Sequence, residues 1–484
     1  MNLSQLKLYR VLSPAAKAAI WFTVCNFLIK GLSFFTGPLF TRLLPETEYG
    51  KLSIFASYEQ LVIIFATWEL YSGAYQRGLF KYKGYTSLFT ESILVLTTFL
   101  TAVIFGILFA FRHTVYEITG ISNQNLFLLF LFILFSPGYH CWLIRMRTKF
   151  RYQYAVPLTV LYSLAGIIPP ALALWLFVRT ANMKYGATLI GHILLCAPFY
   201  FRSLHLKNIS QNRTIFFQQL RFSLRYQGPL VLHSLSFLIL GHADRVMIGQ
   251  MSGMDKAAFY SVAYGLASSI SIFQSSINEA LIPWRIQKME EKDYSSLRRT
   301  TTALLISIAG IVLFFIAVAP EGMRLLFPEN YYEAVFCIPP VAASMYFIFL
   351  YSIFVHVETY FEKTQYVLYV SVTCGVVNVI LNAVCIRWFG YTAAGYTTLI
   401  SYVLFAVLHY WFMRRTCTEM TGGTEIYSLR EIAAVSAVLL IVTTLLALCY
   451  SLPILRRAMC TLLLFIAFLF RKRLMGLLMI FRQR

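Results

Sequence analysis

The residues of this chain able to do chemistry are few, because long apolar runs surround them. Lys30 lies near the middle of an apolar run over residues 18–40, with Asn26, Ser33, Gly37 and Thr41 spaced around it at 4-, 3-, 4- and 4-residue steps. In a helix that spacing puts all five on one face, a polar stripe with one ammonium in it. Lys30 is then either a counter-charge for an anionic ligand or half of a buried ion pair with a glutamate of the next run. Glu59 and Glu69 lie in that run, with Tyr58, Ser72 and Gln76 expected on the Glu69 face. A buried carboxyl takes up protons readily, so these two are candidates for proton or sodium coupling and equally for neutralising Lys30. A second charged pair, Asp244 and Arg245, stands in a run over residues 227–250. Adjacent helical residues point about 100° apart, which excludes a simple face-on pair. Ser234, Gly241 and Arg245 share one face, and His233 and Asp244 another. Arg245 there offers a planar donor fork to phosphate or hydroxyl groups, unless the pair instead locks the turn that follows. Glu279 sits near the end of the next run, at a place suited to a gate. His242, beside the charged pair, is the histidine placed to sense pH. His140, His192, His233 and His356 form no ligand-like spacing and read as packing residues.

The elements that must position these residues are membrane helices. Of the 484 residues 59% are hydrophobic and only 13% charged, against roughly a quarter charged in soluble domains. The apolar runs are about 20 residues long, the length that crosses a hydrocarbon core of ~30 Å as a helix. Their continuity excludes the alternating pattern of a membrane barrel. The expected spans lie near 18–40, 52–73, 88–111, 125–144, 155–178 and 186–201, then near 227–250, 257–282, 302–319, 335–355, 366–386 and 394–413. Two more are expected near 430–450 and 452–470. The nine cysteines are scattered with no Cys-x-x-Cys pair, so neither a zinc site nor a disulfide framework is indicated. No Walker or Gly-x-Gly-x-x-Gly loop is present, so ATP is not the direct energy source and no cofactor or metal is expected.

The net charge of +21 takes its meaning from where the cations fall. With the N-terminus inside, and Arg430, Arg456 and Arg457 near span ends counted with the adjoining segments, 29 Lys/Arg lie in cytoplasmic segments and 10 in outer loops, and Lys30 and Arg245 lie within spans. That asymmetry places both termini in the cytoplasm and accounts for the basic character without nucleic acid. It also suits contact with anionic membrane lipids.

An internal repeat is visible. Residues 41–59 lead into the second span as 249–267 lead into the eighth, with Ser53 opposite Ser261 at an offset of 208. Gly186 pairs with Gly395 and Gly166 with Gly375, each at 209. A repeat of six spans, an even number, keeps both copies in one membrane orientation. The expected division is a cytoplasmic segment over 1–17, a six-helix lobe over 18–213, a second over 214–415, two further spans over 416–470, and a basic amphipathic cytoplasmic tail over 471–484.

Residues 243–264 (ADRVMIGQMSGMDKAAFYSVAY) resemble the seventh-to-eighth span signature of Wzx-type O-antigen and capsule flippases, polysaccharide-biosynthesis exporters of the MOP superfamily. Residues 30–53 (KGLSFFTGPLFTRLLPETEYGKLS) resemble the opening hairpin of the same family, with Gly-Pro in the first span and Tyr-Gly before the second. The resemblance implies an all-α integral membrane protein with two six-helix lobes around a central cavity, two extra C-terminal helices and alternating access. It implies flipping of an undecaprenyl-pyrophosphate-type lipid-linked glycan from the cytoplasmic to the outer leaflet of a bacterial inner membrane. Lys30, Asn26, Arg245, Ser33 and Ser234 then become substrate-binding candidates, and Glu59, Glu69, Asp244, Glu279 and His242 candidates for ion coupling or gating. The implied partners are that glycan, membrane lipids and glycan polymerase machinery. Lipid II flippases share fourteen spans but carry several arginines in the first two helices, where this chain has Lys30 in the first. A MATE-like small-solute antiporter is the alternative transporter. A membrane polymerase or glycosyltransferase would need a long outer loop with catalytic residues, and the longest outer segments here are about 15 residues.

Overall fold

The computed structural model describes residues 13–461 apart from 364, 453 and 460, and every regular element among the described residues is helical. Contacts divide the chain into a unit over residues 1–238 and a unit over residues 239–484. The first contains α1 (Pro14–Leu43), α2 (Glu46–Thr67), α3 (Gly73–Lys81), α4 (Thr86–Ala110), α5 (Arg112–Thr119), α6 (Asn123–Thr148), α7 (Tyr152–Ala165), α8 (Ile168–Leu176), α9 (Ala181–Ser203) and α10 (Leu206–Gln211). The division falls inside α11 (Arg213–Met251). The second unit continues with α12 (Met254–Ser268), α13 (Ile270–Glu290), α14 (Tyr294–Leu326), α15 (Ile338–Tyr360), α16 (Gln365–Phe389), α17 (Ala393–Thr421) and α18 (Leu429–Leu448).

Ten helical segments among the described residues are long and apolar enough to cross a membrane. They coincide with ten of the fourteen expected spans. The second, sixth and eighth spans exist as α2, α9 and the pair α12–α13, but charged and polar residues such as Glu59, Lys184, His192 and Asp255 dilute them. Of the fourteenth, only residues 452, 454–459 and 461 are described, and the expected tail over 471–484 lies outside the described residues.

Three expected spans are broken. The fifth splits at Gly166–Ile167, just before Pro169 and Pro170, since a proline cannot donate to the preceding turn. The eighth divides at Ser269. The second ends at Thr67 and restarts at Gly73, because Trp68 and Glu69 both take left-handed backbone, at φ 49° and 48°. Glu69 therefore does not share a continuous helical face with Tyr58 and Gln76, as its spacing predicts. It sits in the break.

In each unit the most extensive helix–helix packing joins corresponding elements, α6 with α9 in the first and α15 with α17 in the second. Of the repeat glycines, Gly186 and Gly395 lie at these contacts. A Cβ on Gly186 would meet Asn125 Oδ1 at 2.6 Å, and one on Gly395 would meet Pro340 Cγ at 3.0 Å. Each glycine thus permits the close approach of its pair of helices. The core of the first unit is aromatic, with Phe55, Phe105, Phe132 and Tyr185 buried together.

Candidate functional site

In the first unit the break after α2 holds the best-defined polar feature. Two consecutive non-glycine residues in left-handed backbone cost about 1–3 kcal/mol each and persist only where their surroundings hold them. The Glu69 N–H donates to Thr67 Oγ1 (3.1 Å), and the Ser72 hydroxyl donates to the Glu69 carbonyl (2.6 Å). The Ser234 hydroxyl, on α11, donates to Glu69 Oε2 at 2.7 Å. Two residues singled out from the sequence, 165 positions apart, therefore meet. Aromatic rings fill the surroundings of the break. Tyr71 stacks on His140 (4.8 Å between centroids), and Tyr162 lies 4.4 Å from His192, whose Nε2 is 3.2 Å from the Tyr162 carbonyl. These histidines pack among rings, as their isolated spacing predicts.

Lys30 is half-buried on α1, flanked by exposed Asn26 and Ser33, while Thr41 at the end of the same stripe is buried. The Thr41 hydroxyl donates back to the Gly37 carbonyl at 3.0 Å. Glu59, on α2, is half-buried, and the cation acting on it is Lys184 of α9. Lys184 Nζ also lies 4.8 Å from the Phe40 ring centroid. Its spacing in the sequence gave Lys184 no link to Glu59.

The second unit buries Asp244 against hydroxyl donors from two other helices. Asp244 is fully buried, and its Oδ2 accepts from the Tyr260 hydroxyl on α12 and from Thr398 Oγ1 on α17 (2.9 Å). Its Oδ1 has no partner among the described residues. Beside this cluster on α17, Thr397 donates to Asn382 Oδ1, Asn382 Nδ2 donates to Asn378 Oδ1 (3.1 Å), and Asn378 Nδ2 donates to Ser401 Oγ (3.2 Å). Five neutral polar side chains from α16 and α17 are thus buried around or beside one carboxyl. Burial penalises the carboxylate form, and two hydroxyl donors offset that penalty in part.

Arg245 makes its hydrogen bonds and its ring contact with other groups. Its Nη1 donates to the Gly241 carbonyl (3.0 Å) and lies 3.1 Å from His242 Nδ1, and the guanidinium stands 4.4 Å from the Tyr264 ring centroid. The neighbouring acid and base therefore serve different contacts, as their 100° separation predicts. Asp244 also joins α11 to α12, the turn-locking role weighed from the sequence. Glu279 lies on α13, and its side chain lies outside the described residues.

Two further features escaped the sequence reading. Glu358 and His409 form a fully buried hydrogen-bonded pair, with the His409 Nδ1 3.0 Å from the carboxyl and Tyr351 stacked on the imidazole. Arg285 is 4% exposed, donates from Nη1 to Asn278 Oδ1 (2.7 Å), and leaves Nε and Nη2 without partners among the described residues. The signal for both was a charged residue close to the end of an apolar run. No group of three or more His, Cys, Asp or Glu able to hold a metal ion occurs among the described residues.

Broken membrane helices and buried polar networks on an all-helical scaffold define a multi-pass membrane protein of the transporter kind. The model of the family described as polysaccharide biosynthesis protein matches residues 15–289, more than half of the chain, and the chain belongs to that family. A second model, described as a putative exopolysaccharide exporter, matches residues 266–424. An uncharacterized membrane protein of Methanocaldococcus jannaschii is 28% identical over 217 residues, 43% of this chain and 49% of that protein. The chain thus matches about half the length of that relative. Among solved structures, an inward-facing MATE family multidrug resistance transporter of the MOP superfamily superposes with a TM-score of 0.60 at 14% identity, over 83% of this chain and all of the other. The lipid II flippase MurJ in an inward closed conformation gives 0.59 at 13% identity, over 94% and 99%. A MOP superfamily transporter from Pyrococcus furiosus, reported with reversed polarity of its binding pocket, gives 0.52 at 14% identity, over 84% and 98%. These likenesses show the fold.

Proposed function

We propose that the protein is a flippase moving a lipid-pyrophosphate-linked oligosaccharide, an O-antigen or capsule-type repeat unit on an undecaprenyl-type carrier. It works by alternating access, from the cytoplasmic to the outer leaflet of a bacterial inner membrane. The supporting observation is the charge of the first unit within a polysaccharide-biosynthesis family. Residues 1–238 hold 21 Lys/Arg against 6 Asp/Glu, and no acidic residue occurs between Glu117 and Asp244. A cargo that is itself cationic is repelled by such a unit, whereas a diphosphate is drawn to it. Lys30, Asn26 and Ser33 on α1, with Arg245 and Ser234 on α11, supply counter-charge and hydrogen bonds to the diphosphate and its first sugars. A compact ammonium attracts phosphate without demanding one geometry, which suits a headgroup that must keep moving. Asp244 is the coupling group, taking up and releasing a proton or a small cation during the cycle. Glu59, Glu69, Glu279 and His242 belong to the same coupling and gating set.

The test is surface-glycan display in cells that depend on this protein. Lys30→Ala abolishes display while the protein stays in the membrane at near-normal level, and Lys30→Arg retains part of it because the charge survives. Normal display by the alanine variant overturns the reading. Loss of the variant from the membrane, with the arginine variant lost too, identifies Lys30 as a packing residue.

A further inference from the structure

A cleft in the first unit has the chemistry of a capture site for phosphate. Its volume is about 620 Å³, and Lys81, Tyr82, Arg221, Phe222, Arg225 and Tyr226 line it. One wall is the end of α3 and the residue after it, and the other is the first third of α11. Arg221 and Arg225 stand one helical turn apart on α11, both exposed, and Phe222 and Tyr226 form the row beside them, their rings stacked at 5.8 Å. Lys81 faces them, its Nζ 4.3 Å from the Phe222 ring centroid, and Tyr82 meets Phe222 edge-on at 5.7 Å.

The walls are held in place from behind. Gln219 and Gln227, on the other side of α11, are 0% and 1% exposed. Gln219 Oε1 accepts from Ser92 Oγ of α4 (2.7 Å), and Gln227 Oε1 accepts from the Ala74 N–H of α3 (3.0 Å). The two arginines are therefore presented by an anchored helix. No carboxylate lines the cleft, and the sequence holds no Asp or Glu from Leu70 to Thr90 or from Ile118 to Ala243. Three cations line the cleft, no carboxylate lines it among the described residues, and such a set is completed by an external anion. Tyrosines with exposed cations are also the composition of a membrane–water interface, so the anion is one carried at headgroup depth.

We propose that this cleft binds the diphosphate of a membrane-embedded polyprenyl lipid at the cytoplasmic surface, ahead of transport. This rests on the flippase reading, which places residues 74–87 and 202–226 in cytoplasmic segments. The arginines bracket the two phosphates, Lys81 supplies a third contact, and Tyr82 and Tyr226 pack against the first isoprene units or the first sugar.

The full-length protein in lipid nanodiscs is titrated with undecaprenyl diphosphate, and binding is followed by quenching of a fluorophore placed outside the cleft. Arg221→Gln combined with Arg225→Gln weakens binding at least about tenfold, as expected for two phosphate-facing cations at a membrane surface. Lys81→Gln on the opposite wall weakens it in the same direction, which keeps the test decisive if the double variant fails to fold. Unchanged affinity in folded variants overturns the site. Competition by inorganic pyrophosphate at the concentration of the lipid overturns the lipid as its source. Equal displacement by phosphatidylglycerol reduces the cleft to a general anionic-lipid contact and also overturns the proposal. Binding does not depend on transport, so the two readings fail separately. Glycan export with unchanged binding in the variants removes this site alone, and cleft-dependent binding without export removes the flippase reading alone.

Discussion

The two units carry nearly equal numbers of cations, 21 and 20 Lys/Arg, but 6 and 14 Asp/Glu. In the first unit positive charge is left in excess and appears at half-buried or exposed places, such as Lys30, Arg221 and Arg225. In the second, more carboxylates accompany the cations, and some polar groups are buried: Asp244 under two hydroxyls, Glu358 against His409, and Arg456, which pairs with the half-exposed Glu321. The first unit therefore carries a net positive charge, and the second is closer to neutral and buries carboxyls within its helices. Under the proposed function, this difference in where carboxylates lie separates substrate attraction from coupling.

That contrast breaks most severely at Asp244. Asp244→Asn keeps the shape but removes the switchable charge, and export should fall by roughly a hundredfold or more and lose its dependence on an ion gradient. Glycan display with and without an ionophore measures this. Display that stays gradient-dependent in the asparagine variant would move coupling out of the second unit. Thr398→Val leaves the buried carboxyl one donor short, with a cost of about 1–3 kcal/mol in thermal unfolding and a partial loss of export.

The glycine contacts come next and ask whether the units are built alike. Gly186→Ala drives a methyl to 2.6 Å from Asn125 Oδ1, and Gly395→Ala one to 3.0 Å from Pro340 Cγ. Each overpacks its helix pair, at a cost of about 1–3 kcal/mol with Gly186→Ala the larger. Detergent melting temperatures of the two variants provide the comparison. A neutral Gly186→Ala would show that close approach of α6 and α9 is not required.

The break after α2 yields a smaller effect. Ser234→Ala removes the donor to Glu69 Oε2 and should cost about 1 kcal/mol. Trp68→Gly relaxes a left-handed residue and recovers part of about 1 kcal/mol of backbone strain, at the expense of ring packing. If the strained turn serves transport, the glycine variant loses more export than its lower stability and membrane level account for.

The helices themselves were legible, because the bilayer demands about 20 apolar residues per crossing whatever else a sequence does. Individual charged residues were legible for the same reason: Lys30, Glu69, Asp244 and Arg245 stand out against lipid-like surroundings. Their partners were not. Thr398, Tyr260, Asn378 and Asn382 are ordinary polar residues for a span, and only folding brings Thr398, 154 positions away, onto Asp244. Lys184 gave no sign of Glu59, 125 residues earlier. The break at Trp68–Glu69 carries neither glycine nor proline, so nothing local marked it. The split at Gly166 stands before Pro169–Pro170 and was readable in principle.

The smallest expected effect concerns Glu48, in the first turn of α2 and ahead of the apolar stretch beginning at Leu52. Partial burial opposes its charge, but the Ala181 N–H at the start of α9 (2.7 Å) and Lys51 outweigh this and hold its carboxyl below the usual range. A lowered folded-state value means that the stabilisation is complete above the unfolded value of 4.5 and is lost as pH falls through the folded one. Glu48→Gln should therefore loosen the start of α9 by about 0.5–1 kcal/mol at neutral pH and remove its response to acid. Amide exchange at residues 181–184 reports both.

On the proposed reading this scaffold carries an anionic lipid-linked glycan. The most direct test of that reading is transport by the purified protein in sealed vesicles offered two cargoes, a labelled polyprenyl-diphosphate oligosaccharide and a lipophilic organic cation. The account predicts that the diphosphate lipid crosses between leaflets, that Lys30→Ala and Asp244→Asn each stop it, and that the cation is not moved. Movement of the cation with the diphosphate lipid left in place would contradict it.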